Sequence, residues 1–314
     1  MLLPILSLLA GFILLMWSAD TFTDNGAKIA RIFNISPLVI GLLIFGFGTS
    51  APEMLVSGLA AYDGHPEMSI GNAFGSNILN IGLVLGVTAI ILPITVEKSV
   101  LKKEWLFLFL STLIVGFLLL DGFLSFTDGL ILISLLTLFL INVFRESKKN
   151  NLTDSDSDSL ENNSQKNDKG RTWLLLIVSL IILVSSARLV VWGGTSLALS
   201  FGVSDLIIGL TVVALGTSLP ELAVSISSAL KKQHQMVIGN IIGSNLFNTL
   251  GVLAIPGLIL PFQIPTEVMS RDYLFMLMFT LLVVILSMRL KISRFGGFIL
   301  LTALTIYLYQ LFWI

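Results

Sequence analysis

The sequence contains no cysteine and only two histidines, and charged residues make up 12% of its 314 positions. The absence of cysteine excludes disulfide bonds and thiolate metal sites, and it leaves the redox compartment of the protein undetermined. The low charge is accompanied by 55% hydrophobic residues and a mean hydropathy of +0.96, which is far more apolar than a soluble domain. The chain is therefore expected to lie in a membrane.

Long apolar runs follow one another along the chain and are separated by polar loops. About 20 apolar residues are enough to cross a bilayer as a helix, whereas the strands of a membrane barrel would alternate polar with apolar residues. The sequence therefore predicts an all-α membrane protein with ten transmembrane helices. The predicted spans begin near Leu2, Pro37, Met68, Leu101, Ser125, Thr172, Asp205, Gln235, Arg271 and Arg294.

The basic residues are concentrated in alternate loops. If the N-terminus lies outside, every Lys and Arg except Arg188 and Arg271 falls on the cytoplasmic side. The positive-inside rule then predicts that both termini face outward. Residues 1–19 are predicted to be a span and not a signal peptide, because no basic residue precedes Lys28. Arg188 is a lone cation near the outer end of the sixth span, where snorkelling to water is a sufficient explanation.

One long hydrophilic segment, residues 145–171, interrupts the apolar runs with the sequence RESKKNNLTDSDSDSLENNSQKNDKGR. Its composition predicts a disordered cytoplasmic linker. The DSDSDS run resembles a calcium loop, but that loop requires Gly at its sixth position and Glu at its twelfth. Ser159 and Gln165 occupy these positions, so we interpret the run as part of the linker.

An internal repeat lies on either side of this linker. A shift of 168 residues places GTSAPE, which begins at Gly48, onto GTSLPE, which begins at Gly216. The same shift places GNAFGSNILN onto GNIIGSNLFN, and 16 of the 35 positions from 46–80 to 214–248 are identical. Two copies at a constant offset indicate a duplicated unit.

Each copy of the unit holds five predicted spans. Since five is odd, the second copy must cross the membrane in the opposite sense to the first, as in the inverted repeats of transporters. The sequence predicts a first five-helix repeat at 1–144, the linker at 145–171 and a second repeat at 172–314. The 46–80 and 214–248 motifs would meet near the midplane of the membrane.

Two glutamates, Glu53 and Glu221, lie in equivalent positions of the two motifs and within predicted spans. An ionised carboxylate at the bilayer centre costs roughly 2.5–3.5 kcal/mol on insertion scales. Neither glutamate has a basic neighbour in the surrounding sequence. A transported cation is the partner that would compensate them.

A proline precedes each glutamate, at Pro52 and Pro220. Because proline has no N–H group, the carbonyls of Gly48 and Gly216 lose their helical donors and each helix tends to kink. Such carbonyls are tolerated in a membrane where they line a cavity. They would add backbone oxygens beside the carboxylates.

Hydroxyl and amide side chains surround the two glutamates in the sequence. Threonines four residues before each glutamate share its helix face, and serines follow them, at positions Thr49, Ser50, Thr217 and Ser218. The next span of each half carries a polar stripe of Asn72, Ser76 and Asn80, or Asn240, Ser244 and Asn248. Carboxylate, hydroxyl, amide and carbonyl oxygens favour a hard cation such as Ca²⁺, and sodium ions compete for the same ligands.

Glycines accompany the polar stripes, at Gly71, Gly75, Gly239 and Gly243. Small residues spaced by four let membrane helices approach closely. We therefore predict that these glycines are packing positions.

The paired motifs GTSAPE with GNAFGSN and GTSLPE with GNIIGSN resemble the two alpha-repeats of the cation/calcium exchanger superfamily. The pattern is most similar to the prokaryotic sodium/calcium exchanger branch, and the resemblance extends over all ten spans. It implies four central helices that form the ion sites and two long tilted helices, the first and sixth spans, that slide across them. It also implies residence in a prokaryotic inner membrane.

The resemblance implies an ion site at the matching positions. The calcium ligands would be Thr49, Glu53, Thr217 and Glu221. Sodium ligands would add the backbone carbonyls of Gly46 and Ala214 and the hydroxyls of Ser50, Ser76, Ser218 and Ser244, while Asn80 and Asn248 would line the central position. The family often has Ala in place of Gly46, a change that matters little if only the carbonyl is used. Potassium-dependent members carry Asp in place of Asn248, so this chain is expected to be potassium-independent.

The function implied by the resemblance is secondary active exchange of sodium for calcium by alternating access. Three sodium ions against one calcium would make transport electrogenic. The transported ions and the lipid bilayer are the expected partners, and no cofactor, nucleic acid or obligate protein partner is expected. The nearest alternative is a proton-coupled calcium antiporter, although that variant commonly has Gly-Asn-Ala before the glutamate.

Two alternatives from other classes are an intramembrane enzyme and a passive channel. Paired carboxylates could perform acid/base chemistry, but the chain has no HExxH motif and only two histidines. Inverted repeats with discontinuous helices favour alternating access over a passive pore. The sequence therefore predicts a transporter and not an enzyme.

Overall fold

The computed structural model describes residues 2–153, 169–202 and 214–313 of the chain. Within these ranges the fold is helical apart from four strands of two residues each. Among the described residues, eight helices are long and apolar enough to cross a membrane. They are α1 (Leu2–Ile32), α2 (Pro37–Tyr62), α3 (Pro66–Ile91), α6 (Phe126–Thr153), α7 (Lys169–Ser200), α10 (His234–Ile259), α11 (Val268–Ser287) and α12 (Arg294–Trp313).

The remaining elements are shorter. The other helices are α4 (Lys98–Lys102), α5 (Glu104–Leu118), α8 (Ala214–Thr217) and α9 (Leu219–Leu230). The strands are β1 (Ile94–Thr95), β2 (Phe123–Leu124), β3 (Phe262–Gln263) and β4 (Lys291–Ile292). The structure therefore shows an all-helical membrane protein, as the sequence predicts.

Two of the ten predicted spans differ from the rest. The fourth is divided at Lys103 into α4 and the 15-residue α5, which is shorter than the usual length of a span. The first residues of the seventh, including Asp205, lie outside the described residues, and its remainder is divided at Ser218 into α8 and α9.

The predicted extent of the disordered linker, residues 145–171, is wrong at both ends. Helix α6 continues to Thr153, and α7 already begins at Lys169, so residues 145–153 and 169–171 are helical. The long apolar helices on both sides extend into the polar residues because a helix satisfies its own backbone hydrogen bonds beyond the apolar run. The DSDSDS run lies outside the described residues.

The four strands pair between the two halves of the chain. Strand β1 is antiparallel to β4, with Ile94 opposite Ile292, and β2 is antiparallel to β3, with Leu124 opposite Phe262. A shift of 168 residues converts β1 into β3 and β2 into β4, and it converts the first register into the second. Each strand of one half therefore pairs with a strand of the other half, and the two pairs are equivalent. A two-fold relation between the halves produces this pattern.

Two helix contacts between the halves are also equivalent under the 168-residue shift. A Cβ added at Gly297 in α12 would lie 2.6 Å from the Gly86 carbonyl oxygen in α3. A Cβ added at Gly129 in α6 would lie 3.0 Å from the Ala254 carbonyl oxygen in α10. Residues 129 and 297, and residues 86 and 254, are equivalent by the 168-residue shift. Each half therefore packs the end of one central helix on the fifth span of the other half.

The core is centred on α10. Every side chain from Met236 to Ala254 is buried, including several polar ones. Helices α1 and α7 pack along each other and form a second apolar cluster around Leu15, Phe22 and Leu183. Their outer faces expose large apolar side chains, such as Leu2 and Ile181, as expected for helices in contact with lipid.

Candidate functional site

The two predicted glutamates are brought together in the protein interior. Glu53 in α2 and Glu221 in α9 are each 1% exposed, and their carboxylates interact electrostatically. No described group makes a hydrogen bond of good geometry with any of their four carboxylate oxygens, although the Thr49 hydroxyl lies near the Glu221 carboxylate. A pair of buried acceptors without donors is strongly unfavourable unless a positive charge compensates them.

The predicted hydroxyl ligands lie close to these carboxylates in the two motif helices. Thr49 donates a hydrogen bond to the Phe45 carbonyl oxygen at 2.9 Å, and its Oγ1 is 3.2 Å from Ser244 Oγ in α10. This contact joins the two motifs across the halves of the chain. Ser50 and Ser218 are buried with hydroxyls that lack a partner in the described part of the chain. Thr217 is partly buried at the end of α8.

The predicted amide ligands are fully enclosed. Asn80 in α3 and Asn248 in α10 are at most 1% exposed, and neither end of either amide has a partner within the described ranges. Both residues lie in π-helical turns, at Asn80–Leu85 and Phe247–Val252. Such wide turns leave some backbone groups outside the regular helical ladder and are frequent at functional sites. Ser76 is buried, with its hydroxyl 3.5 Å from Asn72 Oδ1.

The two prolines act differently. Helix α2 continues through Pro52, so the predicted kink does not interrupt the first half. In the second half the helix breaks at Ser218, two residues before Pro220. A π-helical turn at Gly41–Phe45 precedes the first motif instead. Irregular backbone therefore lies beside both motifs, but its position differs between them.

The glycines form a close crossing of α2 with α10. A Cβ at Gly243 would lie 2.4 Å from the Leu42 carbonyl oxygen, and one at Gly239 would lie 2.5 Å from the Leu38 carbonyl oxygen. The predicted packing role is therefore seen for these two glycines. At Gly71 and Gly75, no described atom of a neighbouring element lies within 4 Å of the Cβ position, so the predicted packing role is not seen there.

Gly46 belongs to the same crossing, which corrects one expectation. A Cβ at this position would lie 2.8 Å from the Cα of Gly243. Alanine in place of Gly46 would therefore push α2 away from α10 here, so this change matters to the packing even if only the Gly46 carbonyl binds ions. Ala214, the equivalent backbone position, is the first residue of α8.

Comparison with known proteins identifies the family. The family described as "Sodium/calcium exchanger protein" matches residues 3–145 and 171–313. The chain belongs to this sodium/calcium exchanger family. The two matched ranges are themselves offset by 168 residues, like the motifs and the strand pairs.

Several similar proteins align with this chain over almost their full length. The putative antiporter CaxA of Alkalimonas amylolytica is 41% identical over 99% of both chains. The inner membrane protein YrbG of Escherichia coli is 36% identical over 100% of this chain and 98% of its own. The solved sodium-calcium exchanger NCX_Mj is 37% identical, with a TM-score of 0.86 over 99% of both chains. Structures of that exchanger were obtained after soaking with Na⁺, Ca²⁺ or Sr²⁺.

Membership of the exchanger family decides between the broad functional classes. The family consists of membrane transporters, so this chain is a cation/calcium antiporter and not an enzyme. The prediction of an exchanger from the paired motifs is confirmed.

In each half, one asparagine side chain donates hydrogen bonds to a glutamate carbonyl oxygen and to a serine hydroxyl. We call this arrangement a clamp, and the sequence interpretation missed both clamps. Asn72 Nδ2 donates to the Glu53 carbonyl oxygen at 3.2 Å and to Ser57 Oγ at 3.0 Å. Asn240 Nδ2 makes the same contacts at 3.3 and 2.9 Å, with the Glu221 carbonyl oxygen and Ser225 Oγ as acceptors. The internal repeat could have indicated these contacts, because each serine lies four residues after its glutamate and the two serines are equivalent under the 168-residue shift.

Proposed function

We propose that this antiporter exchanges sodium for calcium by alternating access, electrogenically and without potassium. The observation that carries the proposal is the pair of buried carboxylates without partners, one from each half, enclosed by hydroxyl and amide oxygens. This ligand set suits a hard divalent cation, with sodium as its competitor. Similarity to a named sodium-calcium exchanger supports the choice of ions.

The proposed architecture is ten transmembrane helices in two inverted five-helix repeats, with both termini outside and the 145–171 loop in the cytoplasm. The exchanged strand pairs β1 with β4 and β2 with β3 support the two-fold relation. The distribution of basic residues supports the orientation. A likeness to an inner membrane protein supports residence in the cytoplasmic membrane.

The proposed ion site consists of the carboxylates of Glu53 and Glu221 with the surrounding oxygens. Its other members are Thr49, Ser50, Ser76, Asn80, Thr217, Ser218, Ser244 and Asn248, with backbone carbonyls at Gly46 and Ala214. Two carboxylates compensate one calcium ion fully, whereas three sodium ions leave one positive charge in excess. Closing the passage is favourable only when the carboxylates are compensated, because an uncompensated pair is costly to enclose.

Calcium uptake into sodium-loaded vesicles tests the coupling ion. Vesicles containing the protein are loaded with sodium and diluted into sodium-free medium, and entry of radioactive calcium is followed with and without a proton gradient. We expect uptake that requires internal sodium, is unchanged by omission of potassium and responds to an imposed membrane potential. Uptake driven by protons and indifferent to sodium would instead support the proton-coupled alternative.

The clamp in the second half is expected to position Glu221 for ion binding. Asn240→Ala removes both hydrogen bonds, so we expect about a tenfold rise in the calcium concentration for half-maximal uptake, with a smaller change in maximal rate. Asn245→Ala is the matched control, because the amide of this buried residue bonds to the Ile241 carbonyl oxygen of its own helix at 2.7 Å. An equal rise in both variants would contradict a positioning role.

A further inference from the structure

A network of charged groups joins α1 to the end of α9. Lys231 Nζ lies 2.7 Å from Asp20 Oδ1 and 2.7 Å from Asp24 Oδ1, and it also donates to the Asp20 carbonyl oxygen at 2.9 Å. Ser227 donates a hydrogen bond to Asp20 Oδ1 at 3.1 Å. The two aspartates are four residues apart and share one face of α1. One ammonium group therefore holds together two helices from different halves of the chain.

The 168-residue shift places opposite charges at the equivalent positions. Asp20 becomes Arg188 in α7, and Lys231, the residue that follows α9, becomes Asp63, the residue that follows α2. In the observed pair, the base Lys231 follows α9 and the acid Asp20 lies in the first span. At the equivalent positions, the acid Asp63 follows α2 and the base Arg188 lies in the sixth span. The charges of Asp20 and Lys231 are therefore reversed at Arg188 and Asp63, whereas Asp24 corresponds to the uncharged Trp192.

The two helix ends also have the same backbone geometry. Gly64 and Lys232, which are equivalent by the shift, both have positive φ values, of 87° and 59°. The chain reversal is closed by the same hydrogen bond in each half, from His65 N to the Ala60 carbonyl oxygen and from Gln233 N to the Ser228 carbonyl oxygen. Asp63 and Lys231 therefore occupy matching places at the ends of matching helices.

The equivalent residues Arg188 and Asp63 are arranged differently from Asp20 and Lys231. Arg188 and Asp63 are both exposed, and no ion pair joins them within the described ranges. Arg188 instead borders a cavity of about 390 Å³ between α7 and the motif helices, whose lining includes Thr217 and Pro220. Beside Lys231, α1 packs on α9, and a cavity of about 790 Å³ borders Lys232 and Gln233. The cavity beside Arg188 therefore reaches Thr217, one member of the proposed ion site.

We propose that these two ion pairs are alternative locks of the transport cycle. The network of Lys231 with Asp20 and Asp24 stabilises the state seen here, and a pair of Arg188 with Asp63 forms in the opposite access state. Inverted repeats exchange their conformations between the two states, so a contact in one half is expected at the equivalent positions of the other half. The inference rests on alternating access in the proposed function and adds the residues that set its equilibrium.

Disulfide cross-linking tests the locks directly, since the natural chain has no cysteine. One variant carries Asp24→Cys with Lys231→Cys, a second carries Asp63→Cys with Arg188→Cys, and a third carries all four changes. After copper phenanthroline oxidation in calcium-containing medium, linked peptides are identified by mass spectrometry. We expect both pairs to cross-link in their own variants, and never both in one molecule of the third. Each cross-link should block calcium uptake, and reduction should restore it.

The control for the second pair replaces Asp63→Cys with Glu67→Cys, an exposed acid at the start of α3 that has no place in the mapped pair. It should not cross-link to Arg188→Cys. Failure of the Asp63 and Arg188 positions to cross-link in a protein that transports calcium would overturn the locks alone. Absence of sodium-driven calcium uptake by the natural chain would instead overturn the proposed function.

Removing one lock should favour the other. In the Asp63→Cys and Arg188→Cys background, Lys231→Met is expected to raise the initial cross-linking rate about two- to five-fold, which is the range for a partly exposed ion pair. Lys232→Met removes the adjacent charge, which has no ion pair among the described residues, and should leave the rate unchanged. Equal rates in the two variants would show that Lys231 does not hold the state seen here.

Discussion

Glu53→Gln and Glu221→Gln are each expected to abolish sodium-dependent calcium uptake, with a loss of at least about a hundredfold. Each glutamine keeps the size of the side chain and removes one of the two negative charges that would compensate a divalent ion. Removing one partner of a buried charge pair typically costs 3–5 kcal/mol, which corresponds to more than a hundredfold in binding. Uptake per amount of protein in sodium-loaded vesicles measures the loss.

Thermal unfolding separates loss of ion binding from loss of folding in these variants. Without calcium, each variant should unfold at or above the temperature of the natural chain, because an uncompensated buried carboxylate has been removed. Added calcium should raise the midpoint of the natural chain but not that of the variants. Glu67→Gln, at an exposed position in α3, is the control and should behave like the natural chain. Normal uptake by either site variant would refute the proposed site.

Gly243→Ala is expected to destabilise the protein by about 1–3 kcal/mol, the usual cost of overpacking. Its new methyl group would lie 2.4 Å from the Leu42 carbonyl oxygen and 2.9 Å from the Leu42 Cα. These are backbone atoms, so the clash is relieved only if α2 moves away from α10. The midpoint of thermal unfolding in detergent and the calcium dependence of uptake should both worsen.

Gly58→Ala is the matched control for this glycine crossing. It also lies in α2, but its methyl group would meet only Ile255 Cγ2, at an ordinary contact distance of 3.6 Å. Alanine favours a helix over glycine by about 1 kcal/mol, so this variant should be at least as stable as the natural chain. A Gly243→Ala variant as stable as Gly58→Ala would show that the crossing is looser than the structure indicates.

Much of the site was predictable because the chain is duplicated. Glu53 and Glu221 were identified from their cost within a span and from their equivalent places in the two copies, and the structure encloses both. The clamps were missed because an asparagine on a membrane helix has many possible partners. Its choice of the Glu53 carbonyl oxygen and Ser57 depends on the distance between α2 and α3.

Other features could not be deduced from local sequence. Pro52 and Pro220 occur in the same motif, yet α2 continues through the first and the helix breaks before the second. Proline removes one donor in both cases, and the surrounding packing decides whether the backbone bends there. The helical ends of the 145–171 segment were likewise missed, since a polar composition does not show how far a long apolar helix extends.

The sequence by itself determined the membrane location, the duplication and the pair of acidic residues. These depend on the transfer energy of side chains and on identity at a fixed offset, which are properties of the linear chain. Only the tertiary structure decided which half contacts which: that β1 pairs with β4, that Gly243 packs against Leu42, and that Lys231, but not Arg188, forms an ion pair within the described residues. These contacts depend on the relative positions of helices far apart in the chain, which two related repeat sequences do not specify.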